Sequence, residues 1–183
     1  IWLLGMFRPS EETIIIAPFS RENSKELLLT DDYFGKISGD RLVVKDSVVY
    51  MKADGKSRGK IGLSPKSAKN VAGSYDRQKG VLTIVQYSLN PGGDYLKSTW
   101  ELHKEPFSGD VLNAYNDGKL ADGTQMGPFY ELESNSETRA LKQNEHLSHS
   151  QITYHFEGEP ESLNTISKEI LGCDLRSTST IFE

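Results

Sequence analysis

Residues 70–103 read NVAGSYDRQKGVLTIVQYSLNPGGDYLKSTWELH. Two clusters interrupt the apolar and β-branched runs of this stretch, Asp76-Arg77-Gln78-Lys79-Gly80 and Asn90-Pro91-Gly92-Gly93-Asp94. Gly reaches positive φ without steric cost and Pro holds φ fixed, so both clusters reverse the chain. The segment therefore predicts a β-meander with strands over 81–88 and 95–103. Further strand-like runs lie on either side, at 2–7, 13–19, 41–45 paired with 48–52, 111–115, 129–134 and 149–157, bounded by Gly, Pro, Asn, Asp and Ser. Short strands recurring at this spacing specify a mostly β sandwich or barrel rather than alternating strands and helices. One helix is expected near the end. Pro160 suits a first helical position, Leu163, Ile166, Ile170 and Leu171 form a stripe, and Gly172 follows where a left-handed cap sits. This C-terminal helix should brace a sheet. No repeat or compositional break divides the chain, so residues 1–183 read as one domain or part of one.

A chain of 183 residues can bury a hydrophobic core without metal or disulfide staples. Lys plus Arg number 21 against 26 Asp plus Glu, a net charge of −5, which argues against a nucleic-acid partner because that affinity rests on neutralising phosphates. Cys173 is the lone cysteine and leaves no disulfide framework and no Cys-based zinc site. No apolar run approaches the roughly 18 to 20 residues that span a bilayer, so no membrane span is expected. The opening Ile1-Trp2-Leu3-Leu4-Gly5-Met6-Phe7 has no initiator Met and begins inside a buried-strand pattern, so residues upstream of Ile1 are expected. Charge is unevenly spread. Lys52, Lys56, Arg58, Lys60, Lys66 and Lys69 face only Asp54 over 52–69, whereas 101–161 is strongly acidic. The basic stretch reads as a solvated hairpin, with an anion site as the alternative.

The segment Gly127-Pro128-Phe129-Tyr130-Glu131-Leu132-Glu133-Ser134 carries the chemistry. Strand alternation sends Phe129, Glu131 and Glu133 to one face and Tyr130 and Leu132 to the other, so two carboxylates stand roughly 6.5 to 7 Å apart. Such a pair can share a metal, take the hydroxyls of a sugar or shift each other's pKa; a solvent-facing pair is the plain alternative. Asn113, Tyr115 and Asp117 share a face of the preceding strand and offer an amide, a ring and a carboxylate to a pyranose. The competing reading is an Asx-rich turn at Asn116-Asp117-Gly118. Arg58 is the basic residue best suited to pair an acidic sugar, and Lys60 is second. His149 and His155 lie roughly 20 Å apart on an extended strand and read as structural or surface groups, while His103 and His146 have no partner visible in sequence. Trp2 and Trp100 read as core or sheet-packing residues, with a sugar platform as the alternative for Trp100. No phosphate loop, Gly-x-Ser-x-Gly elbow or His-Glu-x-x-His helix occurs, and neither a metal nor a cofactor is expected.

Leu132-Glu133-Ser134, followed by Leu141, Gln143-Asn144-Glu145, His149 and Thr153-Tyr154-His155-Phe156, resembles the C-terminal stretch of galactose mutarotases, the aldose 1-epimerases. There a Leu-Glu-Thr-Gln element precedes a Leu-x-Pro-Gly-Glu turn and a Tyr-x-Phe strand. The segments 2–9, 33–45, 60–75, 81–87, 109–118 and 129–134 are more closely similar to an uncharacterised bacterial family of that mutarotase-like group. The resemblance implies an antiparallel β-supersandwich of which this chain is the C-terminal part, with an N-terminal half upstream. It implies a carbohydrate ligand and places Glu133 as the general base that takes the proton of the anomeric hydroxyl, with the acid partner upstream of Ile1. It also favours an extracytoplasmic, periplasmic or cell-envelope, location. Ser134-Asn135 stands where the mutarotases have Thr-Gln, and Gln143-Asn144 where they have Pro-Gly. These departures keep open a non-catalytic sugar-binding or cell-envelope interaction domain beside an epimerase-like isomerase.

Overall fold

Alternating side chains on short strands give each strand two faces, and in this chain both faces of the longer sheet find cover. The computed structural model describes residues 1–98 and 103–183. Its strands are β1 (Trp2–Phe7), β2 (Thr13–Pro18), β3 (Leu29–Thr30), β4 (Leu42–Lys45), β5 (Val48–Lys52), β6 (Gly59–Leu63), β7 (Val71–Asp76), β8 (Val81–Tyr87), β9 (Leu112–Asn116), β10 (Tyr130–Asn135) and β11 (Gln151–Glu157). The helix α1 (Pro160–Ile170) and a 3-10 turn, Leu175–Ser179, follow. The fold is thus mostly β with one short C-terminal helix. A five-stranded sheet runs β1-β10-β9-β6-β3 and a six-stranded sheet runs β11-β8-β7-β2-β5-β4, every pairing antiparallel.

Strand β2, Thr-Ile-Ile-Ile-Ala-Pro, is buried throughout, and the layering explains why. Ile15 and Ala17 point into the space between the sheets, where Val49, Met51 and Val85 meet Ile61, Leu63, Leu112, Ala114 and Leu132 of the five-stranded sheet. Ile14 and Ile16 point the other way, with Tyr50, Leu82 and Ile84, against Leu163, Leu171, Leu175 and Ile181 of the C-terminal segment. The order of layers is five-stranded sheet, six-stranded sheet, helix. A buried hydrogen bond of 2.7 Å between Ser74 Oγ and Tyr130 Oη ties the two sheets. Helix α1 begins with Pro160 in its first turn and ends at Leu171, with Gly172 at φ +67° after it. Among the described residues no helix is long and apolar enough to cross a membrane.

Most turns follow their sequence chemistry. Asp46 and Ser47, at φ +50° and +60°, close the β4–β5 hairpin in the primed geometry that matches strand twist. Gly80 at φ +63° closes β7–β8. The predicted third strand of the meander differs. The chain does reverse at 90–94, but Tyr95 drops into the core at 2 % exposure and bonds the Asn90 backbone through its hydroxyl. That carries the chain off the sheet, and the free edge of β8 pairs with β11 instead. Residues 99–102 of the predicted strand, Trp100 included, lie outside the described residues.

One expectation is corrected. The basic stretch holds β6, which is no solvated hairpin but lies between β9 and β3 in the five-stranded sheet. Ile61 and Leu63 drive this burial from the core face, and Lys60 is carried inside with them at 6 % exposure. Of the two uses open to Trp2, core and sheet packing, it takes the second: at 41 % exposure it lies on the outer face of edge strand β1, against Lys60 and Glu133 of the neighbouring strands.

Candidate functional site

The outer face of the five-stranded sheet carries the polar half of its alternation. Cross-strand register sets Leu4, Glu133, Asn113 and Gly62 in one row and Met6, Glu131, Tyr115 and Lys60 in the next. Cross-strand neighbours on one face stand about 4.5 to 5.5 Å apart, so the rows fix which groups meet. Asp32, Tyr33 and Phe34 of the β3–β4 loop, with Lys97, Ser98, His103 and Asp110, join this face around a cavity of about 580 Å³. Trp2, Tyr33, Phe34 and Tyr115 supply its aromatic lining; Arg58, Lys60, Lys97, His103, Asp110, Glu131 and Glu133 supply its polar one.

Glu133 sits at the floor, 1 % exposed. Lys60 Nζ donates to its Oε2 at 2.9 Å and Trp2 Nε1 donates to the same oxygen at 3.0 Å. Its Oε1 is buried without a hydrogen-bond partner among the described residues. A buried carboxylate oxygen normally has a partner, so this one marks a place where a donor is wanted. Lys60 is gripped in turn, its Nζ 4.9 Å from the Trp2 ring and 5.5 Å from the Tyr33 ring. Next to it Glu131 is half-buried and its carboxyl is pushed up from 4.5 to about 7, first by burial, then by the charge of Glu133. One member of the pair therefore exchanges its proton near neutrality.

A second tier holds the walls. Tyr33 Oη donates to Asp110 Oδ2 at 2.8 Å, Asn113 Nδ2 donates to Tyr33 Oη at 3.2 Å, and Asn135 Nδ2 donates to Asn113 Oδ1 at 3.0 Å. Burial pushes the Asp110 carboxyl up, and burial with the Asp110 charge pushes the Tyr33 phenol up. Gly62 makes the room: a Cβ there would stand 2.1 Å from Asp110 Oδ2. On the other wall Arg58 Nε donates to Tyr115 Oη at 3.2 Å, and Tyr115 Oη donates to Asp117 Oδ1 at 2.6 Å. Burial and Asp117 push the Tyr115 phenol up to about 12.

Of the residues singled out from sequence, Glu131, Glu133, Tyr115 and Arg58 line the cavity. Asn113 and Asp117 lie behind the lining, 0 % and 2 % exposed, and position Tyr33 and Tyr115 rather than face a ligand. Asp117 also accepts from Gly127 N at 3.0 Å, so it serves the turn as well as the wall. Trp2, Tyr33, Lys97, His103 and Asp110 were not expected there; a loop 80 residues from Asn113 in sequence brings Tyr33 in, and no local periodicity reports that. His149 and His155 are structural, bonded to Ser134 Oγ at 2.8 Å and Thr83 Oγ1 at 2.9 Å. Among the described residues no three His, Cys, Asp or Glu side chains converge as a metal set. No curated protein matches the chain, and no solved structure matches it. Residues 1–182 match the model of a family of unknown function, DUF6786, and the chain belongs to that family.

Proposed function

We propose that this chain is a carbohydrate-binding or carbohydrate-active protein of the mutarotase-like kind, with its sugar in the cavity over the five-stranded sheet and Glu133 as general base. The observation that carries the proposal is the carboxyl pair: Glu133 with one oxygen fixed by Lys60 and Trp2 and the other unpartnered, beside Glu131 whose proton leaves near pH 7. A pyranose presents hydroxyl donors for such an oxygen and an apolar ring face for Trp2, Tyr33 or Phe34. A volume of about 580 Å³ suits one or two sugar rings and falls in the usual range of small-molecule sites.

Anomer interconversion needs a base to take the anomeric proton while an acid protonates the ring oxygen, so that the C1–O5 bond opens; reclosure from the other face returns both protons. In this reading Glu133 Oε1 performs the first task, and His103, which shares the cavity, is the candidate acid among the described residues. Two antiparallel sheets suit the mutarotase-like supersandwich that the proposal assumes. The test is polarimetry or proton NMR of anomer exchange with a panel of aldoses. Glu133→Gln should abolish exchange and leave sugar affinity nearly intact; unchanged turnover removes the catalytic role. One observation favours a second reading, a binding domain without chemistry: the Lys60 ion pair anchors Glu133 as a structural group would be anchored. Saturable sugar binding with no anomer exchange by the wild-type protein is its signature.

A further inference from the structure

Three arginines of this protein are forked onto acids. Arg41 pairs Asp54 through 3.0 and 2.6 Å bonds, Arg77 pairs Glu12 through 3.1 and 2.7 Å bonds, and Arg176 pairs Asp174 through 3.0 and 2.7 Å bonds. Arg58, on the cavity wall, is held differently. Its guanidinium carbon stands 3.8 Å from the Phe34 ring centre and its Nε donates to Tyr115 Oη at 3.2 Å. No acid pairs it among the described residues, and both Nη groups are left without a hydrogen-bond partner. The ring stack and the Nε bond fix the plane of the guanidinium in advance, so little rotamer entropy is left to lose when a ligand binds its outer edge.

We infer that the cavity takes a sugar bearing a carboxylate, a uronic-acid unit, whose carboxyl is forked by the two Nη groups of Arg58. This rests on the carbohydrate reading above and narrows it to a substrate class. The planar fork matches a carboxylate with two parallel hydrogen bonds, which is the arrangement Arg41, Arg77 and Arg176 already make within the chain. The rest of the charge in the cavity tolerates one extra anion. Glu133 is neutralised by Lys60 at 2.9 Å, and Glu131 carries a proton over much of the range below neutrality. A phosphate, at roughly −1.5 to −2 charge, exceeds the single positive charge that Arg58 and Lys97 leave over Asp32, with Lys60 already paired to Glu133.

The experiment compares three matched pairs by calorimetry or by tryptophan fluorescence: galacturonate with galactose, glucuronate with glucose, and mannuronate with mannose. At least one uronate should bind the wild-type protein ten times or more tighter than its neutral partner. Arg58→Ala should remove that preference, weakening the uronate by tenfold or more and the neutral sugar far less, while Arg58→Lys should keep part of it. Circular dichroism and a thermal melt check that both variants fold. If neutral sugars bind and no pair shows a preference, or if Arg58→Ala weakens both partners equally, the inference is overturned and the carbohydrate reading stands. If nothing in the panel binds at millimolar concentration, the carbohydrate reading fails and this inference goes with it.

Discussion

Glu131 is the residue whose protonation the fold changes most usefully. Met6 of β1 flanks it on one side, and charged or titratable groups stand on the others: Glu133 on its own strand, Lys60 on β6, Tyr115 on β9 and Asp117 just beyond that strand. Burial and the Glu133 charge outweigh Lys60 and raise the carboxyl from 4.5 to about 7. A raised carboxyl binds its proton more tightly in the folded state, so the native protein is favoured below pH 4.5. That advantage is lost as pH rises to about 7, above which the loss is constant. At 1.36 kcal/mol for each pH unit the effect is bounded at roughly 3 kcal/mol, and it is smaller for a group that still meets solvent. Glu131→Gln should therefore flatten the fall in stability between pH 4.5 and 7, read by urea unfolding across a pH series. An unchanged slope would show that the carboxyl is not strained in the folded state. The carboxyl pair was legible because strand alternation alone puts Glu131 and Glu133 on one face. Lys60 stood out by its charge, but its burial against Glu133 was not legible, since Gly59 and Gly62 bracket Lys60-Ile61 and glycine erases the alternation that marks a strand.

Strand β6 shows why an element can be essential to a site and nearly invisible in sequence. Its outer face carries Lys60 and a glycine, and the glycine matters as much as the charge. A methyl at position 62 would meet Asp110 Oδ2 at 2.1 Å and Asn113 Nδ2 at 2.9 Å, both groups that hold Tyr33 against the cavity. Asp110 is 4 % exposed and has no space to yield without dragging Tyr33 with it. Gly62→Ala should cost about 1 to 3 kcal/mol, the usual penalty of overpacking, and should weaken ligand binding as Tyr33 leaves the wall. Chemical denaturation and a binding isotherm measure the two effects; a variant as stable as wild type would mean that Asp110 can move freely. The hairpins β4–β5 and β7–β8 were readable, because Asp46-Ser47 and Gly80 state their turn geometry locally. The displaced third strand of the meander was not, because the choice between it and β11 for the edge of β8 depends on Tyr95 finding the core.

The whole molecule divides labour by layer. The cavity lies on the outer face of the five-stranded sheet, and the helix lies on the far face of the six-stranded one, with two sheets and the inner core between them. The predicted amphipathic stripe found its partner there: Leu163 and Leu171 pack with Ile14, Ile16, Leu82 and Ile84, closing apolar surface that the six-stranded sheet would otherwise expose. Leu163 is 1 % exposed, so Leu163→Ala should cost about 2 to 5 kcal/mol through lost burial and the cavity left behind. Nothing in the layer order connects that loss to the cavity on the five-stranded sheet. Residues without shared partners contribute independently, so in the fraction that remains folded the affinity for a sugar should match wild type within about twofold. Urea unfolding gives the first quantity and a titration well below the melting temperature gives the second. A folded Leu163→Ala protein with weakened binding would mean that the brace and the cavity are coupled through β2, whose side chains alternate between the two cores, and the separation of stability from recognition would have to be abandoned.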